Sequence, residues 1–208
     1  SVWGAQESYP GKIVRLSLGN NPPETCIAEV FEVPSERMGV DPNSGNAGFM
    51  PRGLDIDRDG VLWTALSGSN HLASFDRRKC TGPLNGQSAH LGRHCKEGWT
   101  LHALPGPTFK GTNVRSDYYY YNWVDQFNTS GFGENTPIAN GSGSDSLLVL
   151  NPQTKEWTVL RVPYPLGFYT KWMDGRIDDA KTGWKGRGLW ATVSTRAPFH
   201  MEGGKGTT

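Results

Sequence analysis

The chain has 208 residues and a formal net charge of +1, so its composition offers no general attraction to nucleic acid or to anionic membranes. Hydrophobic residues make up 36% and charged residues 20% of the chain, which excludes a disordered tail. No apolar run approaches the roughly 20 residues that cross a bilayer. Short β-branched and aromatic runs, separated by Gly, Pro, Asn and Asp, predict an all-β fold.

Predicted strands recur in a fixed order along the chain. In two units a strand with Val-Trp or Leu-Trp is followed by a short apolar strand and then by a strand that ends on proline, at Pro34 and Pro105. A third unit, which ends at Pro163, repeats the last two strands without the tryptophan. The charged residues 171–187 are predicted to form a solvated hairpin with internal ion pairs before the last strand. In chain order, the predicted strands are residues 1–5, 13–16, 30–33, 52–57, 61–66, 71–75, 99–104, 123–125, 147–150, 158–162 and 189–194.

Four antiparallel strands per unit, repeated radially, are typical of a β-propeller blade. We therefore predict a partial β-propeller of four-stranded antiparallel blades, with about three blade equivalents in one domain over residues 1–208. The predicted blade parts are residues 1–34, 49–105, 118–163 and 169–208. Residues 80–96 and 109–146 are predicted insertions. Closed propellers have about 4–8 blades, so we expect a longer chain or a partner chain to supply the remaining blades.

One blade motif carries a family resemblance. The segment Pro51-Arg-Gly-Leu-Asp-Ile-Asp-Arg-Asp-Gly-Val-Leu-Trp63, followed by an apolar strand and a strand that ends on proline, resembles the motif of virginiamycin B (streptogramin) lyase-like propellers. Regucalcin-like and NHL propellers have related motifs. Lyases of the first family open a cyclic depsipeptide by elimination, with a catalytic histidine, acidic residues and a bound magnesium ion. The resemblance therefore implies the propeller fold and makes a metal-dependent C–O lyase an alternative function.

Alternating strand directions place most of the long connections at one end of the predicted sheets. Long loops on a rigid scaffold commonly carry binding residues. The tyrosines at 118–121 suit stacking on a sugar or another planar ligand, although packing between blades explains them as well. The candidate ligand-binding residues at this end are Arg52, His71, Tyr118, Tyr120, Tyr169 and Lys171.

A catalytic alternative is based on His200, Arg196 and Glu7 at the same end. A histidine at the mouth of a channel can act as a general base, and an arginine can stabilise a developing anion. The same residues also fit a loop histidine and a surface ion pair. Both interpretations stay open at the level of sequence.

The segment Asp55-Ile-Asp57-Arg-Asp59-Gly60 matches the first half of a calcium-binding loop. Asp55, Asp57 and Asp59 are therefore candidate ligands for calcium, or for the magnesium ion that the resemblance implies. Leu66 stands where such a loop carries a bidentate glutamate. A plain hairpin turn between two strands also explains Asp59-Gly60.

Cys80 and Cys95 flank a predicted insertion and suit a disulfide, which stabilises such a loop by about 3 kcal/mol in the chain-entropy model. Together with His90 and His94 they have the ligand types of a zinc site, but not its usual spacing. Cys26 is then expected to be free and buried in the third strand. A composition rich in Gly, Trp and Tyr and poor in Lys favours an exported protein, secreted or periplasmic, and the disulfide is expected on that condition.

Three functions remain in view. The first is a binding or interaction module whose loop-rich face holds a small molecule, a glycan or a partner protein. The second is the streptogramin-lyase-like enzyme, and the third is a structural subunit whose edge strands pair with another chain. The sequence has no P-loop, dinucleotide fingerprint, nucleophile elbow or H-E-x-x-H motif, which argues against the chemistry that each of these supports.

Overall fold

A computed structural model describes residues 1–140, 143–163, 168, 170–176, 181–183 and 185–192. Within these ranges the protein is all-β and contains four-stranded antiparallel sheets, which confirms the predicted fold class at that level. No helix in the described part has the length and apolar character that a bilayer crossing requires. The helices there are short 3₁₀ segments at Glu36–Met38, Pro42–Ser44, Arg77–Lys79 and Lys96–Gly98.

The strands of each sheet follow one another in chain order, and every neighbouring pair is antiparallel. The first sheet consists of β1 (Val2–Gln6), β2 (Lys12–Ser17) and β3 (Ile27–Glu32). The second consists of β4 (Pro51–Ile56), β5 (Leu62–Leu66), β6 (His71–Phe75) and β7 (Trp99–Ala103). The third consists of β8 (Tyr121–Asp125), β9 (Thr136–Asn140), β10 (Ser146–Leu150) and β11 (Trp157–Arg161). A two-stranded sheet pairs β12 (Met173–Arg176) with β13 (Gly188–Ala191).

Both faces of the second sheet are covered by neighbouring sheets. Leu62 and Leu66 of β5 join a buried cluster that includes residues of the first sheet, such as Phe31. Trp63 and Ala65 point to the other face and join a cluster with residues of the third sheet. This two-sided burial explains why β5 is almost continuously apolar. A third cluster joins the third sheet to Met173 of β12, so each sheet shares an apolar core with the next.

Strands β4 and β8 lie side by side and run in the same direction. The Gly53 amide donates to the Tyr120 carbonyl at 3.0 Å, and farther along the Val124 amide donates to Asp55 Oδ2 at 2.8 Å. A side chain at Gly53 would place its Cβ only 2.5 Å from the Tyr121 ring and 2.8 Å from the Tyr121 Cα. Glycine at this position therefore permits the close approach of the two strands.

The insertion after β6 packs against the first sheet. Its ends are joined by the Cys80–Cys95 disulfide, which confirms that prediction. The zinc alternative is wrong, because both sulfurs are used in the disulfide. Within the insertion, the Gly92 carbonyl accepts a 2.8 Å hydrogen bond from the Glu32 amide of β3, and Arg93 pairs with the buried Glu32 carboxylate at 3.0 Å. The insertion thereby covers the outer edge of β3.

Three features differ from the sequence predictions. Cys26 is free as predicted, but it is exposed rather than buried; it precedes β3, whose first two residues are exposed as well. Met173–Arg176 forms a strand within the segment that was predicted as a solvated hairpin, but it pairs with the last strand, β13, rather than within that segment. Strand β9 lies within the predicted insertion at 109–146 and completes the third sheet.

Candidate functional site

Several predicted ligand-binding residues lie at one end of the sheets. Successive strands are antiparallel, so β4 and β8 begin at the end where β5 and β9 finish. The register shows this directly, since Pro51 pairs with Leu66 and Tyr121 pairs with Asn140. The connections that follow β3 and β7 also reach this end.

Four side chains at this end form a continuous series, which we call the Arg52 row: Glu7, Arg52, Tyr120 and Tyr118. Glu7 Oε2 lies 3.3 Å from Arg52 Nε, and the Arg52 guanidinium carbon lies 4.5 Å from the centroid of the Tyr120 ring. The Tyr118 and Tyr120 rings are 5.7 Å apart. The structure thus brings together three predicted ligand-binding residues with Glu7, and it shows Glu7 as the ion-pair partner of Arg52.

A cavity of about 290 Å³ opens beside this row, between β4, β8 and the segment that leads into β12. We call it the β4–β8 cavity. It starts at Gly53 and Tyr121, the residues that directly follow Arg52 and Tyr120 in the chain. Its lining residues are Gly53, Leu54, Asp55, Tyr121, Asn122, Trp123, Asn140, Lys171, Trp172 and Met173.

Two asparagines among the lining residues of the cavity have side-chain oxygens without a donor in the described part of the chain. Asn122 and Asn140 are only 8% and 1% exposed, and the Oδ1 atom of each is buried without a hydrogen-bond partner among the described residues. The orientation of Asn122 is fixed, because its Nδ2 donates to the Trp63 carbonyl at 3.1 Å. The register pairs Asn140 with Tyr121, so the Asn140 side chain lies on the sheet face that carries Tyr121 and Trp123, whereas Asn122 points to the other face, towards the second sheet. Buried polar atoms are normally paired, so the unpaired Asn140 oxygen indicates a site for a hydrogen-bond donor in the cavity.

The cavity also contains a carboxyl group with a perturbed pKa. Burial raises the pKa of Asp55 above its usual value, and the nearby Asp174 charge acts in the same direction. Hydrogen bonds from the amides of Val124 and Ile56 oppose this shift. Lys171 and Trp172 are exposed lining residues of the cavity. The cavity therefore combines several oxygen acceptors, one cationic donor and aromatic rings.

His71 does not belong to this site. The side chain is buried at the start of β6, where Nε2 lies 2.7 Å from the Gly45 carbonyl and Nδ1 lies 3.2 Å from Ser69 Oγ. Burial lowers the pKa of His71 and favours its neutral form. Both ring nitrogens already have partners, so we leave His71 out of the candidate site.

The structure does not assemble Asp55, Asp57 and Asp59 into a metal site. Asp57 Oδ1 accepts the amides of Asp59 and Val61, and its Oδ2 accepts Trp63 Nε1 at 3.0 Å. Asp59 Oδ2 instead accepts the Asn135 side chain. The three carboxylates therefore organise the β4–β5 turn and its neighbours, and the described residues contain no group of three or more His, Cys, Asp or Glu side chains placed to hold a metal ion.

The remaining predicted site residues, His200, Arg196 and Tyr169, lie outside the described residues. Sequence reasoning missed Asn122, Asn140 and Trp172. Asparagine is depleted in strands, so two asparagines inside β8 and β9 were the available signal.

Comparisons with protein-family models, with curated proteins and with solved structures found no match to this chain.

Proposed function

We propose that this chain is a binding module built from β-propeller blades, and that its β4–β8 cavity holds a small polyhydroxylated molecule or the terminal sugar of a glycan. Three observations support the blade arrangement. The sheets follow one another along the chain, β4 and β8 run side by side in the same direction, and each sheet shares an apolar core with the next. The disulfide supports an oxidising compartment, either secreted or periplasmic.

The observation that carries the ligand class is the buried Asn140 oxygen, which lacks a donor among the described residues and lies on the sheet face of Tyr121 and Trp123. A sugar hydroxyl supplies such a donor and can accept a hydrogen bond from Lys171 at the same time. The apolar face of a sugar ring can also pack against the aromatic walls, as Trp172 and Trp123 allow. A purely anionic ligand fits less well, because the buried polar lining consists mainly of acceptors.

Titration calorimetry with methyl glycosides of glucose, galactose, mannose and N-acetylglucosamine tests this proposal. We expect at least one of them to bind the native protein at a single site. Trp172→Ala is expected to weaken that binding at least tenfold, because the ring lines the cavity. Trp190→Ala is the matched control: Trp172 and Trp190 are 52% and 55% exposed, yet Trp190 does not line the cavity.

The two tryptophan variants distinguish a cavity site from adhesion to exposed rings. Equal loss of binding in both variants would indicate nonspecific contact with surface tryptophans and would contradict the proposal. The absence of binding by all four glycosides to the folded protein would also contradict it.

A further inference from the structure

A second cleft lies away from the β4–β8 cavity and shares no lining residue with it. It has a volume of about 450 Å³ and lies between the connection that follows β7 and strands β10 and β11 of the third sheet. We call it the Asp117 cleft. Its lining residues are Pro105, Gly106, Pro107, Ser116, Asp117, Tyr118, Gly143, Ser144, Leu148, Val159 and Arg161.

Asp117 is a buried carboxylate that has no counter-ion among the residues that the structure describes. It is 9% exposed, and its oxygens accept hydrogen bonds from the Tyr118 amide and the Ser144 hydroxyl, both at 2.9 Å. Both donors are neutral, and no Lys, Arg or His in the described ranges forms an ion pair with Asp117. Buried carboxylates are normally paired with a cation, so this wall of the cleft lacks the group that would balance it.

The surroundings of Asp117 suit an organic cation rather than a hydrated metal ion. Leu148, Val159, Pro105 and Pro107 supply apolar surface along the cleft. The Tyr118 ring is exposed and lines the same cleft, where its face can attract a positive charge. A carboxylate beside an aromatic ring and an apolar wall matches an ammonium group attached to an apolar body.

Arg161 supplies a separate charge at the same cleft. Its side chain is exposed and makes no hydrogen bond or ion pair with any other residue that the structure describes. It is therefore available to a carboxylate, which many natural amines also carry.

We propose that the Asp117 cleft binds a primary ammonium group on an apolar body, with Asp117 as its counter-ion. Two sources share this chemistry: a simple amine, and an apolar amino acid whose carboxylate reaches Arg161. The inference does not depend on the proposed sugar site, because the two sites have different lining residues.

Calorimetric titration with three matched compounds tests the inference. Phenethylamine carries only the ammonium group, phenylalanine carries both charges, and 3-phenylpropionate carries only the carboxylate. We expect the two amines to bind and 3-phenylpropionate to show no binding. Tighter binding of phenylalanine than of phenethylamine, lost in Arg161→Gln, would identify an amino acid as the favoured source, whereas equal binding would identify a simple amine. Binding of 3-phenylpropionate as strong as that of the amines would overturn the inference.

Two variants locate the site. Asp117→Asn removes the charge and is expected to weaken amine binding at least tenfold. Val159→Phe fills the cleft from a half-exposed position and is expected to abolish binding without altering Asp117. Val159→Phe keeps the test informative if Asp117→Asn fails to fold. Amine affinity that remains unchanged in folded Val159→Phe would overturn the inference, as would a complete lack of amine binding to the native protein.

Discussion

Reduction of the Cys80–Cys95 disulfide is expected to lower the free energy of unfolding by about 3 kcal/mol. The estimate follows from the sequence separation of 15 residues, because cross-linking a loop of that length removes a corresponding entropy from the unfolded chain. The closed loop also packs against β3, where the Gly92 carbonyl and the Arg93 side chain both contact Glu32. Reduction should therefore destabilise this contact with the first sheet as well.

Urea unfolding followed by tryptophan fluorescence measures the effect. The oxidised and reduced proteins are compared in a Cys26→Ser background, so that the disulfide is the only thiol chemistry that changes. Cys26 is exposed, and this background substitution should be close to neutral. With an m-value of about 2 kcal/mol per molar urea, the expected loss moves the midpoint down by roughly 1.5 M.

Hydrogen exchange adds a local readout of the same perturbation. The Glu32 amide donates to the Gly92 carbonyl, so its protection should fall on reduction. The Val14 amide, in the middle of β2, is the internal reference. A urea midpoint that is the same in both redox states would refute the loop-entropy reasoning. Unchanged protection of Glu32 would show that the insertion stays docked without the disulfide.

Three further perturbations have defined outcomes. Gly53→Ala should destabilise the protein by about 2 kcal/mol in thermal unfolding, because the added Cβ clashes with Tyr121. Gly4→Ala is the control and should be nearly neutral, since the space around its Cβ is open. Equal effects of the two substitutions would contradict the close approach of β4 and β8. Burial, aided by the Lys155 and His71 charges, lowers the pKa of His102 from 6.5 to about 4. His102 in the unfolded chain therefore binds its proton at a higher pH than in the folded chain, and up to roughly 3 kcal/mol of the free energy of unfolding should be lost between pH 6.5 and 4. The His102→Gln variant should lack this part of the pH dependence. An unchanged slope of unfolding free energy against pH in that variant would refute the assignment to His102. Glu29→Gln leaves Arg77 without its charged partner and should lower the midpoint of urea unfolding. Glu134→Gln removes the exposed ion pair with Arg58 and should leave the midpoint nearly unchanged. Equal midpoint shifts would contradict a larger stabilising effect of the buried carboxylate.

The second sheet was predictable because its signals are local. The Asp59-Gly60 turn, the apolar run at β5 and Pro105 after β7 together set the strand order before any tertiary contact is considered. The observed strands agree with the predicted ones to within about a residue or two at their ends. The disulfide was predictable for a similar reason, since the two cysteines flank a single insertion.

The candidate site could not be predicted as a whole, because its residues come from separate strands. Asn122 and Asn140 meet the same cavity only because β8 pairs with β9 while β8 also lies against β4. Strand β9 carries Pro137 and lacks the tryptophan of the repeat, so its sequence gives a weak strand signal. His71 shows the converse: an imidazole predicted at the rim is buried by its contacts with Ser69 and Gly45.

The most direct test of the proposed binding site is a two-dimensional NMR titration of the native protein with the methyl glycoside that binds best. The side-chain amide signal of Asn140 reports on the buried oxygen that lacks a donor among the described residues, and the Asn122 signal reports on the opposite face of the sheet. We predict that the Asn140 signal shifts together with the Trp172 indole signal, with a single affinity, while the Trp190 indole signal stays unchanged. Shifts confined to exposed tryptophans, with the Asn140 signal unmoved at saturation, would contradict the assignment of the β4–β8 cavity as the ligand site.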